Sequence, residues 1–463
     1  MSDDPAEPPS TADVAGTYPP ALLDALGRTW TDRSAWEFLT EITAIGSRMA
    51  GSSGERRAAE TVARAFRDAG VDDVTEETFE LTGWKRGEST LELLSPRERL
   101  FEAIALPYSP SGEMTGDLVD VGYGTPDEID DLDVDLEGRI AVASTTTPPG
   151  GRFIHRIEKF GYAIEKGAEA FVFANHVAGQ LPPTGALTFG EEAAAPAVGV
   201  SSETGEWLRE YAVNSPGGTG TVRLAVEAST APATSRNVVG RLGPETDGTL
   251  LLLAHYDAHD IAEGALDNGC GIATVIETAR ILSAVEDELP TRVRVAGVGC
   301  EEVGLLGAEA LADRLDLSDV HGVINVDGAG RHRNLVAYSH GSEATAGATK
   351  DVSEATRQPI ELESEPHPFS DQWPFVRRGV PALQLHSDSG ERGRGWGHTH
   401  ADTRDKIDDR NVREHAMLTA LLAFELGRRE LPRLDDEKLS AAFREAEFEV
   451  GMRAADLWPE KWE

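Results

Sequence analysis

The chain has 463 residues, 40% of them hydrophobic, with 43 basic side chains against 81 acidic ones and a formal net charge of −38. That is length for about three domains of 150 residues and for a sizeable core. The acidic balance argues against nucleic-acid or anionic-membrane partners, which need a basic patch, and the apolar runs argue against a wholly disordered chain.

The acids are scattered rather than gathered into one tail, and the lysines are confined to Lys85, Lys159, Lys166, Lys350, Lys406, Lys438 and Lys461. Spread acid with few lysines suits a halophilic protein, because the Debye length falls to about 3 Å at 1 M salt and self-repulsion is screened. Cys270 and Cys300 form neither a paired-cysteine zinc motif nor a disulfide framework, and read as two small buried thiols.

Residues 1–19 read as a disordered lead, without the charged-then-apolar pattern of a signal peptide. No run reaches the ~18 apolar residues of a membrane span, so a cytoplasmic location is expected. Helices are predicted at 36–45 and 55–69, a strand at 74–81 and a strand pair over 90–105. From 111 to 230 the elements are shorter: strands at 117–122, 138–143, 168–174 and 197–200, with helices at 152–167 and 202–212. His155 and His176 stand alone there and read as surface or packing residues.

From 231 to 432 strands and helices alternate. Strands are expected at 236–240, 250–254, 291–298, 323–326 and 381–385, and helices at 271–284, 305–315, 342–355 and 411–428. That pattern predicts an α/β fold, a mostly parallel sheet flanked by helices. Residues 433–463 read as a helical, acidic appendage. The expected organisation is one catalytic domain from 20–110 and 231–432, interrupted by an inserted unit at 111–230.

Within the second half, His255, Asp267, Glu301-Glu302, Asp327 and His398 form an ordered set of imidazoles and carboxylates. His255, the Glu301-Glu302 pair, Asp327 and the segment leading to His398 each follow a predicted strand, the edge at which open α/β sheets bind ligands. The set suits two divalent ions. Two zinc ions would be balanced by Asp267, Glu302, Asp327 and one bridging hydroxide. Asp267, by its central position, can bridge; His255 and Asp327 would complete one ion, Glu302 and His398 the other. Mixed nitrogen and oxygen donors suit Zn2+, with Co2+ or Mn2+ as substitutes. Asp257, two residues after His255, is read as the carboxylate that orients the imidazole. Glu301, left without a metal, is read as the general base toward a metal-bridging hydroxide. His259, His367 and His386 could approach the cleft, and His400 competes with His398 as last ligand. His321, His332, His340 and His415 are not expected to be ligands.

These residues, in His255-Tyr256-Asp257, Gly264 to Gly269, Cys300-Glu301-Glu302, Asn325-Val326-Asp327 and His398-Thr399-His400-Ala401-Asp402-Thr403, resemble the M28 family of zinc exopeptidases. Ser370-Asp371 and Gly379-Val380-Pro381-Ala382 resemble it too, and the inserted unit is similar to a protease-associated domain. The ending and the insert look most like the carboxypeptidase Q and aminopeptidase Y branches. The resemblance implies a zinc exopeptidase fold, Asp267 as bridging ligand, His255, Glu302, Asp327 and His398 as the other ligands, and Glu301 as base. Family members often carry Tyr just before the last ligand histidine. Here Gly397 stands there, so one zinc ion alone, or with it His367, Arg392, Arg394 or Trp396, is left to face a developing oxyanion.

The expected activity is hydrolysis of terminal peptide bonds in short peptides, as an aminopeptidase first. A carboxypeptidase, a dipeptidase and a non-catalytic receptor-like homologue are the alternatives. A single-zinc glutaminyl cyclase would have a one-metal site and lack the insert. An M20-type enzyme would need a dimerisation domain for which Asp327 to His398 leaves no room. A homodimer is compatible with the sequence.

Overall fold

A computed structural model of the chain describes residues 17–390 and 395–463. Most of the lead expected over 1–19, and Arg392 and Arg394, lie outside the described residues. Inside them, Tyr18 is already packed, 3% exposed and edge-on to Phe424.

In chain order the strands are β1 (Asp72–Ser95), β2 (Arg99–Phe101), β3 (Ile104–Ala105), β4 (Gly112–Asp120), β5 (Ile140–Ser144), β6 (Ala170–Ala174) and β7 (Ala197–Val200). They continue as β8 (Thr221–Leu242), β9 (Thr249–His255), β10 (Arg292–Val298), β11 (Val320–Val326), β12 (Asn334–Tyr338), β13 (Ile360–Glu363) and β14 (Ala382–Asp388). Among the described residues they join in one sheet, ordered β13-β12-β14-β11-β9-β10-β8 on the catalytic side and running on through β4-β5-β6-β7-β3. The four central strands β14, β11, β9 and β10 are parallel. Helices cover both faces, so β9 is buried along its whole length and reads as a continuous apolar run.

The N-terminal segment departs from the expected separate strands. β1 is one 24-residue strand, paired antiparallel along most of its length with β8. The stretch Thr82 to Glu88 carries two glycines and three charges, which in sequence look like a loop. Its glycines instead let the two strands approach: a Cβ on Gly87 would come within 2.5 Å of Glu227 O, and one on Gly83 within 2.8 Å of the Ala233 Cβ. The β1–β8 ribbon is the arm that carries the insert, and β4 to β7 form its own small parallel sheet.

Helix boundaries follow side-chain caps. Ser52 accepts from Glu55 N to start helix 53–68, Ser342 from Thr345 N to start 343–356, and Asp408 from Arg410 N to start 409–427. The C-terminal segment folds as helices 436–445 and 448–454, and it is packed rather than solvated. Phe443 and Trp462 lie 5.1 and 5.8 Å from Trp373. Arg152 of the insert donates to Glu447 O at 2.9 Å and lies 4.1 Å over the Phe448 ring, so this segment braces the insert against the catalytic sheet. No helix among the described residues is long and apolar enough to cross a membrane.

Candidate metal centre

The parallel strands end where the acidic and imidazole side chains begin. His255 is the last residue of β9, Glu301-Glu302 lies three residues past β10, and Asp327 directly follows β11. Asp267 lies in a five-residue π turn, 265–269, leading into helix 270–283. Asn268 ties that turn to β11: its Nδ2 donates to Val326 O at 2.7 Å, and its Oδ1 accepts from Gly328 N at 3.1 Å. Asp402 accepts from Leu266 N and Asp267 N at 2.6 and 3.2 Å.

Two groups of donor atoms result. His255, Glu301 and Asp327 offer ligand atoms within 4.8 Å of one another, and so do His259, Glu302 and His398. Asp267 stands between them. Its Oδ1 lies 3.6 Å from His255 Nε2 and its Oδ2 lies 3.1 Å from His398 Nε2. Burial alone would raise the Asp267 pKa, but Arg331, His255 and His398 hold it well below the usual range. His255 Nδ1 and Nε2 and Glu302 Oε1 are buried without hydrogen-bond partners. Such atoms are costly to bury unless a cation engages them, so the donors present fit metal ions.

The surroundings hold the donors in place. Asp257 accepts from Glu301 N and Glu302 N at 3.0 and 3.2 Å. It lies 3.4 Å from His255 Nδ1, close in charge and long for a hydrogen bond. It therefore fixes the Glu301-Glu302 turn as well as facing the imidazole. Ser370 donates to Asp327 Oδ2 at 2.7 Å and accepts from Asn325 Nδ2 at 2.8 Å. Glu301 is half-buried, and burial, with Asp327, Asp371 and Glu302 nearby, pushes its pKa well above the ordinary range despite the attraction of His255.

Several contributors were not legible in the sequence. Arg331 reaches Asp267 Oδ1 at 2.8 Å and Asp327 Oδ1 at 3.3 Å. Arg48, fully buried, donates to Tyr256 O and Gly264 O at 2.8 and 2.9 Å and so joins the loops that carry His255 and Asp267. Asp371, which the sequence did mark through Ser370-Asp371, is buried with neither carboxylate oxygen hydrogen-bonded. The insert supplies three more: His155, Arg156 and Phe189 line the same chamber as Asp267, Glu301, Glu302, Asp327 and His398. The reading of His155 as an isolated packing residue is thereby corrected. It caps helix 156–165 and stacks 4.3 Å from Phe369, but it also faces the chamber. Spacing alone gave no signal for this, since the β1–β8 arm brings it back.

The other histidines separate cleanly. His259 joins the site. His386 lies behind it, Nδ1 2.9 Å from Asp327 O, and His367 stacks 5.2 Å from Tyr338. His400 is exposed, with Nδ1 2.9 Å from Ile261 O, whereas His398 faces the carboxylates. Trp396, considered for the oxyanion, lies under Lys406 at 5.4 Å.

The insert also contacts His398. His398 Nδ1 lies 3.1 Å from Thr184 O, and Thr184 N donates to His398 O at 2.8 Å. Such a contact at Nδ1 leaves Nε2 for a metal. Arg86, on the β1 arm, donates to Thr184 Oγ1 at 3.2 Å and pairs with Asp260 at 2.6 Å. Arg86→Ala is expected to weaken metal binding by about 10–100-fold, the usual effect of an outer partner, while the far-UV CD spectrum is kept. Chelator competition measures this, and unchanged affinity would contradict the role of the latch.

Residues 237–423 match the profile of Peptidase family M28 and residues 114–208 that of the PA domain. Aminopeptidase YwaD of Bacillus subtilis (strain 168) is 26% identical over 414 residues, 86% of this chain and 85% of its own. Carboxypeptidase Q of Mus musculus is 23% identical, over 83% of each chain. A Peptidase M28 precursor from Shewanella amazonensis SB2B superposes with a TM-score of 0.75 at 21% identity, over 92% of this chain and 99% of its own. The fold and site thus define a metallo-exopeptidase, a hydrolase. Its residues 237–423 match peptidase family M28, with a PA-domain match ahead of them at 114–208.

Proposed function

We propose that the chain is a two-zinc aminopeptidase that releases N-terminal residues from short peptides. The observation that supports this most is Asp267, whose two oxygens face two separate donor groups, one around His255 and Asp327, the other around Glu302 and His398. His255, Asp267 and Asp327 would hold one ion, and Asp267, Glu302 and His398 the other. Zinc in both places supplies Lewis acidity that brings the pKa of a water from 15.7 toward about 7.

The chain's own residues do the rest. Glu301, its backbone fixed by Asp257, takes a proton from the attacking water and returns it to the leaving amine. Asp257 faces His255 Nδ1 and keeps Nε2 toward the ion. Leu305, Phe369 and Phe189 form an apolar wall that excludes water around the scissile bond. With no tyrosine at Gly397, His155 and Arg156 are the basic side chains of the chamber that can face developing negative charge. His155, Arg156 and Phe189 of the insert line the chamber together with the centre's own residues, and this crowding favours short peptides as substrates.

The aminopeptidase direction is supported by the YwaD relative. A second reading, a carboxypeptidase or dipeptidase, is favoured by one feature, Arg156 in the chamber, since a guanidinium suits a substrate carboxylate. Matched peptides blocked at one end decide the direction. Acetylating the N-terminus is expected to stop cleavage while amidating the C-terminus leaves it; the reverse pattern would overturn the aminopeptidase assignment.

A further inference from the structure

The sequence marks His259 only as a histidine near the cleft, and the ligand set carried by the resemblance leaves it out. In the structure it is 5% exposed, and its Nε2 stands 2.9 Å from Glu302 Oε2. His398 Nε2 approaches the same oxygen at 3.0 Å, and the two rings meet edge-on with centroids 4.5 Å apart. Nδ1 of His259 has no hydrogen-bond partner, and Nε2 meets the Glu302 carboxylate. A buried imidazole so sparsely satisfied is uncommon unless it has a further role. Here Nε2 shares a point of approach with two other donor atoms.

The loop holds His259 in that position from both sides. Ala258 N donates to Arg48 O at 3.3 Å, and Asp260 is clamped by Arg86. The backbone on either side of the ring is therefore held before any ion arrives, as for a ligand built into a rigid segment.

We propose that His259 is a direct protein donor to the ion held by Glu302 and His398, in addition to Asp267. This rests on the metallopeptidase reading and goes further. It makes the two halves of the centre unequal. The Glu302 half would have two imidazoles and two carboxylates, a closed protein shell like that of structural zinc sites. The His255 half would have one imidazole and two carboxylates beside Glu301, and keeps the open position that chemistry needs. The Glu302 half should then fill first and exchange last.

The test uses the full chain stripped of metal and titrated with Co2+, following the visible d–d bands and stoichiometry, for the wild type, His259→Phe and His259→Gln. Gln can still donate a hydrogen bond to Glu302 but replaces the imidazole nitrogen. If His259 is a ligand, both variants lose more than about 100-fold in affinity at one ion, beyond the 10–100-fold of an outer partner, and the spectrum of that ion changes. If Gln restores wild-type affinity and spectrum, or Phe has no effect, His259 only hydrogen-bonds and the proposal fails, while two bound ions in the wild type leave the metallopeptidase reading standing. A wild type that binds no Co2+ sinks both. Should the variants not fold, X-ray absorption of the wild-type di-zinc protein counts imidazoles directly: three per two ions supports the proposal, and two overturns it.

Discussion

Glu301→Gln is expected to bind metal like the wild type and to lose about 10²–10⁴-fold in kcat, the contribution of a positioned general base. The amide keeps the size of the side chain, and the turn is held by Asp257 through the backbone N–H groups of Glu301 and Glu302, which the substitution leaves in place. KM should move little, because the change falls on proton transfer rather than on binding. The pH profile gives a second readout. A general base works ionised, so with Glu301 in that role kcat/KM of the wild type should fall on the acid side as the carboxylate takes up a proton; the variant should lack that limb. Full turnover in Glu301→Gln, or lost metal, would remove Glu301 from its role.

Asp267→Asn should have the larger effect on the metal. Its two oxygens serve both donor groups, and its charge is set between Arg331, His255 and His398. The amide has one oxygen and no charge, so the bridge is lost and Arg331 has only Asp327 left to pair with. Metal content is expected to fall from two ions per chain to one or fewer, with activity at the level of the metal-free protein. Elemental analysis after dialysis checks this. Two retained ions would mean that the halves are held independently and that Asp267 does not bridge.

The catalytic strands and their helices were legible because burial on both faces leaves continuous apolar runs, such as Leu250 to Ala254, and because the acidic and imidazole residues begin where those runs stop. Strand ends in one parallel sheet converge, so residues up to 143 positions apart, from His255 to His398, could be grouped before any coordinates. What lay hidden depends on long-range folding. The β1–β8 arm was masked by Gly83 and Gly87, which serve close strand approach rather than a turn. The arm in turn brings His155, Arg156, Phe189 and Thr184 of the insert onto the centre, and no local pattern marks them. Arg48 and Arg331 were hidden for a different reason. A buried arginine that joins loops has the same local signature as a solvated one. His259 could be placed near the cleft by its distance from His255, but only the fold brings its ring against Glu302.

The central claim is a centre for two ions joined by Asp267, and metal titration of the stripped full-length chain tests it most directly. Zinc added stepwise while peptide hydrolysis is followed should bind to two equivalents per chain, with full activity reached only at the second. Full activity at one equivalent, with no further ion bound, would contradict the account.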